Sequence, residues 1–145
     1  MSFRLFLESE EDKNLSDLKA TLKRLPKQDA ALVKGWKYVF QVGNTMKGDK
    51  GHVGLMDPNK KTITLAAPWN YGREFTFLHE VGHLKWETLS NSIQKKWKET
   101  VKKHKDRQKD TDEELFCMAY ANHYCKNRVI VHDNPAWHDF IEKLP

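Results

Sequence analysis

Five consecutive residues, His79-Glu80-Val81-Gly82-His83, carry the clearest chemistry in this 145-residue chain. Histidines at i and i+4 of a helix stand on one face, one turn apart, and can hold a metal ion between their imidazoles. Zinc suits such a pair, with a nearby carboxylate acting as general base. Glu80 stands one position off the histidine line, so it is read as reaching a water and not as a ligand. The competing reading is a buried helix with two hydrogen-bonded histidines, since Phe75, Phe77, Leu78, Val81 and Leu84 suit burial.

Two imidazoles leave zinc under-coordinated, so a third ligand should come from elsewhere. Glu113 and Glu114 are the candidates. Beyond Glu114, the slim residues Cys117, Ala121 and Cys125 follow at +3, +7 and +11. Such a face lets two helices approach closely. Glu113 instead shares a line with Phe116, Tyr120 and Tyr124, whose bulk would hold helices apart. Against this, Thr111-x-x-Glu114 is a capping box, in which Glu114 would turn back to the Thr111 amide. Spacing alone leaves Glu114 with both readings.

The surrounding pattern supplies elements to position these groups. Phe3, Leu5 and Leu7 alternate with other residues and predict a short opening strand. Asn14 is read as the cap of a helix carrying Leu15, Leu18, Leu22 and Leu25, which stops at Pro26. Alternation of Trp36, Tyr38, Phe40 and Val42 predicts a strand, followed by a loop over Gly43 to Gly51. His52 to Met56 and Lys61 to Ala66 read as two strands joined at Asp57-Pro58-Asn59-Lys60. Together the three strands suggest an antiparallel meander. Asn70 can cap the helix bearing the histidines, which runs to about Trp86. Ser90 or Ser92 opens the next, with Ile93, Trp97, Val101 and His104 on one stripe. Thr111 opens another, to about Asn127. Asn134-Pro135 pairs a cap with a proline in the first turn of a last helix, whose apolar face is Trp137, Phe140, Ile141 and Leu144. Strands mostly first and helices after predict an α+β fold: a small antiparallel sheet, then a helical bundle carrying the H-E-x-x-H helix, in a single domain over 1–145.

The run from Ile63-Thr64-Leu65 through Arg73-Glu74-Phe75-Thr76-Phe77-Leu78-His79-Glu80-Val81-Gly82-His83-Leu84 resembles the core of the ImmA/IrrE metallopeptidase family. That family orders a strand, an R-x-x-F-T or R-x-F-T approach and H-E-[LIV]-[GA]-H, then a helix with E-x-x-[AC]-N-x-F-A, whose first Glu is the third zinc ligand. Glu114-Leu115-Phe116-Cys117-Met118-Ala119-Tyr120-Ala121 matches with Cys at the small position and Tyr for Phe. Met118 replaces the usual Asn, and His123-Tyr124-Cys125-Lys126 stands where the family has L-L-M-P. The resemblance spans roughly Lys60 to Cys125. It implies a zinc peptidase with His79, His83 and Glu114 on the metal, Glu80 as base, and a protein substrate such as a transcriptional regulator. In that scheme zinc lowers the pKa of its water to about 7, and Glu80 takes the proton as the water attacks a peptide carbonyl. Tyr71, Tyr120, His123 and Tyr124 are candidate donors to the oxyanion. The strand Thr62 to Ala66 is either an ordinary central strand or one that pairs with an extended substrate.

Composition excludes several alternatives. No apolar run approaches about 18 residues, so no membrane span is expected. Met1 to Glu10 lacks a basic n-region followed by an apolar stretch, which predicts no signal peptide and a cytoplasmic protein. Neither end reads as a helix-turn-helix segment. Cys117 and Cys125 fall eight apart in one helix, about 12 Å, too far to bridge each other. Net charge is +5, and Gln94 to Asp110, with eight basic and three acidic side chains, holds the whole excess. That segment has two readings: a solvated helix face, or a module in which Trp97 and His104 among lysines dock nucleic acid or an acidic protein, with the metal site catalytically silent.

Overall fold

The computed structural model describes residues 3–42, 54–67, 71–102, 111–126 and 134–145. The fold is α+β, a small sheet with a helical bundle after it. It forms two compact units, Met1–Phe77 and Leu78–Pro145, and the division falls inside one helix.

The first unit opens on α1 (Phe3–Lys23), not on a strand. Phe3, Leu5 and Leu7 fit both periods, and the Glu, Lys and Leu run that follows favours helix. Asn14 is therefore interior to α1 and not its cap. Asn14, Leu18 and Thr21, with Leu25 just past the helix end, are buried at steps of four, three and four. α2 (Lys27–Ala30) and a 3-10 turn (Ala31–Val33) follow.

The sheet comprises β1 (Lys37–Val42), β2 (Gly54–Asp57) and β3 (Thr62–Ala67) in the order β1-β3-β2. β2 and β3 pair antiparallel, with Leu55 opposite Thr64. β1 and β3 pair parallel, with Val39 opposite Thr64, so the expected meander is instead a mixed sheet. Alternation tells which face of a strand is buried but not which strand lies beside it. β3 is central, bonded on both sides. That corrects the idea of Thr62 to Ala66 as a docking strand for substrate, because its backbone groups are already paired. The predicted turn is present: Asp57 Oδ1 accepts from the amides of Asn59 and Lys60 at 3.0 and 3.1 Å. Lys61 closes it in the left-handed region, φ 49°. Ile63 and Leu65 are buried, as are Leu18, Leu25, Val33 and Phe77 of the same unit.

α3 (Tyr71–Thr88) carries the histidine motif. In the second unit follow α4 (Asn91–Val101), α5 (Asp112–Tyr124) and α6 (Pro135–Glu142). Their starts are set by caps: Ser90, Thr111 and Asn134 accept from the amides of Ile93, Glu114 and Ala136. Trp97 is the hub of this bundle. Its ring meets Phe116, Trp137 and Phe140 at centroid distances of 5.6, 5.7 and 5.0 Å, and its indole N–H donates to the Asp112 carbonyl at 2.7 Å. Among the described residues no helix is long and apolar enough to cross a membrane. The predicted loop Gly43 to Gly51, the Asn70 cap, and Lys103 to Asp110 of the basic segment lie outside the described residues.

Candidate metal centre

All the groups that compose the centre belong to the second unit. α3 presents His79 and His83 from successive turns, their rings 5.1 Å apart and steeply inclined. α5 brings the carboxylates. Glu114 Oε2 lies 3.0 Å from His79 Nε2, and Glu114 Oε1 lies 3.0 Å from His83 Nε2. One carboxylate thus spans both imidazoles. The Thr111 side chain accepts from the Glu114 amide at 3.2 Å, so half of the capping box forms while the Glu114 carboxylate faces the histidines.

Close approach of the two helices makes this possible. A Cβ added at Gly82 would meet Cys117 Cα at 3.0 Å and Cys117 Sγ at 3.4 Å. Any larger residue at position 82 would push α5 away from the histidines. The slim residue Cys117 thus sits at the close approach, and it and Ala121 are fully buried.

Both candidate acids reach the histidines, and one further residue joins them. Glu113 is not held away by its aromatic neighbours: its Oε2 lies 3.1 Å from His83 Nδ1. The overlooked signal is that Cys117 is i+4 from Glu113 and i+3 from Glu114, so the slim position lies between the two acidic lines. Cys117 itself lies with His79 and His83 such that one ligand atom from each falls within 4.8 Å of the others. Cys117 and Glu114 thus compete as the third ligand. We favour Glu114, because burial, then the charges of Glu114, Glu113 and Glu80, hold the Cys117 thiol protonated far above its ordinary range. A protonated thiol is a poor metal ligand, whereas a carboxylate is ready to bind. The same charge effect places Glu80, half-buried on α3, electrically within the cluster.

The donor set fits a zinc ion: two imidazole Nε2 atoms and one carboxylate, converging at 3.0 Å from α3 and α5. The four side chains around it are 17–39% exposed, so the cluster is open enough to admit a ligand.

The expected oxyanion donors fare differently. Tyr120 is fully buried, its ring against Phe116 and Tyr124, which removes it from any substrate. His123 is nine residues from Glu114, half a turn round α5, and its Nδ1 meets His138 Nδ1 of α6 at 3.0 Å. Tyr124 packs edge-on against His123. The side chain of Tyr71 lies outside the described residues. In the basic segment, Trp97 is fully buried, so its ring is not offered to a docking partner. Lys95, Lys96, Lys98 and Lys102 are exposed along α4. No family model matches the chain, and neither the curated proteins nor the solved structures include a match.

Proposed function

We propose that the chain is a zinc-dependent peptidase of the ImmA/IrrE type, cutting one specific cytoplasmic protein such as a transcriptional regulator. The single observation that carries this reading is the convergence of His79, His83 and Glu114 on one point, in the helix turn that also bears Glu80. A structural histidine pair would need neither a shared carboxylate nor a second acid next to it. The resemblance over Lys60 to Cys125 gives the substrate class.

His79, His83 and Glu114 would hold the ion. Zinc bound there supplies Lewis acidity, which polarises a peptide carbonyl and makes water nucleophilic near neutral pH. Glu80 takes the proton from the attacking water and passes it to the amine nitrogen as the C–N bond breaks. The partial exposure of the cluster lets an extended chain reach the acid and the imidazoles.

Glu80→Gln keeps size and most hydrogen bonds but cannot accept the proton. Loss of a general base costs about 10²–10⁴-fold in rate. Cells producing the wild type should show new cut ends on one protein or a few, and cells producing the variant should show none. Identical cut ends, or identical biological effects, would replace the peptidase reading with that of a catalytically silent binding module.

A further inference from the structure

Two adjacent acids of α5 reach the same imidazole at different nitrogens. Glu114 Oε1 lies 3.0 Å from His83 Nε2, and Glu113 Oε2 lies 3.1 Å from His83 Nδ1. A neutral imidazole has one N–H and one lone pair, on different nitrogens. The lone-pair directions of the two nitrogens diverge, so one ion cannot be held through both. A ring that gives its Nε2 lone pair to a metal must carry its proton on Nδ1, and that N–H needs an acceptor.

We propose that Glu113 is the positioning residue for His83: it accepts the Nδ1–H hydrogen bond, fixes the tautomer that presents Nε2, and strengthens that nitrogen as a donor. The inference rests on the metal-binding reading above and goes beyond it, since Glu113 is given a role distinct from that of a ligand. Three features of the chain support it. The acceptor is a carboxylate, and a charge-assisted bond holds ring orientation more firmly than a neutral one. Glu113 and Glu114 are consecutive in the first turn of one helix, so a single backbone segment sets both sides of the His83 ring. That turn is anchored by Thr111, whose hydroxyl accepts from the Glu114 amide. The helix N-terminus also favours negative charge there.

Outer partners of metal-bound histidines typically change metal affinity 10–100-fold. The test is zinc affinity of the full chain, read by competition with a chromophoric chelator. Glu113→Ala should weaken zinc about 10–100-fold, and Glu113→Gln, which keeps an acceptor oxygen, should recover part of that loss. Glu114→Ala should weaken it more than either. A histidine side-chain nitrogen spectrum of the zinc-loaded protein supplies a readout that mere packing would not move. His83 should carry its proton on Nδ1 in the wild type, with the Nδ1–H signal shifted or lost in Glu113→Ala and the His79 signals in place.

Three results would overturn the inference, and they separate its failure from that of the metal reading. Wild type that binds no zinc removes the metal reading and this one with it. Wild type that binds zinc while Glu113→Ala matches it within twofold removes the positioning role alone. Glu113→Ala that loses zinc as completely as Glu114→Ala makes Glu113 a ligand instead.

Discussion

Two acidic clusters involve α3, and they are built on opposite plans. In the first unit, Glu74 is buried: Arg24 meets its Oε1 at 2.7 Å and Thr21 donates to its Oε2 at 3.1 Å. The Glu74 side chain is only 6% exposed. In the second unit, Glu113 and Glu114 also face nitrogens at 3.0–3.1 Å, but those nitrogens belong to imidazoles and the cluster is partly open. Arginine is a permanent cation, so the Glu74 cluster is complete as it stands. Imidazoles carry at most a part-time charge and can exchange their protons for a metal. Two carboxylates facing two such rings leave room for a divalent ion to replace protons as their counter-charge. The pair teaches that the kind of nitrogen, more than the number of contacts, separates an ion pair built on a permanent cation from one whose nitrogens could take a metal.

The largest way to break this comparison is to cut the closed cluster. Glu74→Ala removes the carboxylate that Arg24 and Thr21 share, and Arg24→Met removes the guanidinium from the buried Glu74 carboxylate. Removing one partner of a buried pair typically costs about 3–5 kcal/mol, toward the low end here because Arg24 is 38% exposed. Each variant should therefore show a lower denaturant midpoint. The parallel change at the open cluster, Glu114→Gln, should alter the metal-free midpoint by less than about 1 kcal/mol. Equal losses at both sites would erase the distinction.

Next in size is Gly82→Ala. Its Cβ would stand 3.0 Å from a backbone atom of α5, so the helices must part. Overpacking costs about 1–3 kcal/mol, offset in part by the gain of about 1 kcal/mol from replacing a helical glycine. A net loss of about 1 kcal/mol in thermal stability, with weaker zinc binding, is expected. A variant that is more stable and binds zinc as well as wild type would contradict the close approach.

The smallest effect sharpens the electrostatics. The Cys117 thiol is raised above its ordinary value of 9.0, first by burial and then by the nearby carboxylates. The native metal-free state then keeps a proton that the unfolded chain gives up. Stability from this group is complete below that ordinary value and falls as pH rises through it. Relative to Cys117→Ala, metal-free wild type should lose about 1 kcal/mol between pH 8 and pH 10, read from denaturant midpoints. An unchanged difference across that range would mean the thiol ionises freely.

The second unit was more legible in the sequence than the first. Ser90, Thr111 and Asn134 announce their helices because a capping side chain acts on amides only two or three residues away. The i, i+4 histidines are legible for the same local reason. Phe3, Leu5 and Leu7 predict a strand where the chain forms α1, because three apolar residues in five satisfy a strand and a helix alike. The parallel β1–β3 pair depends on which strand arrives alongside, which no local pattern encodes. Trp97 and Val101 of the predicted apolar stripe are buried, while the lysines around Trp97 stay exposed, so lysines near a tryptophan describe its helix and not the face it turns inward. The aromatics on one side of the Glu113 line suggest separation, whereas Cys117 on its other side lets Glu113 reach His83.

The central claim is that α3 and α5 together hold one divalent ion, and zinc content tests it most directly. Protein stripped with chelator, reloaded with zinc and freed of excess by gel filtration should retain about one zinc per chain. His79→Ala and His83→Ala, folded by circular dichroism, should retain almost none. Stoichiometric zinc in either histidine variant, or wild type that holds no zinc, would contradict the account.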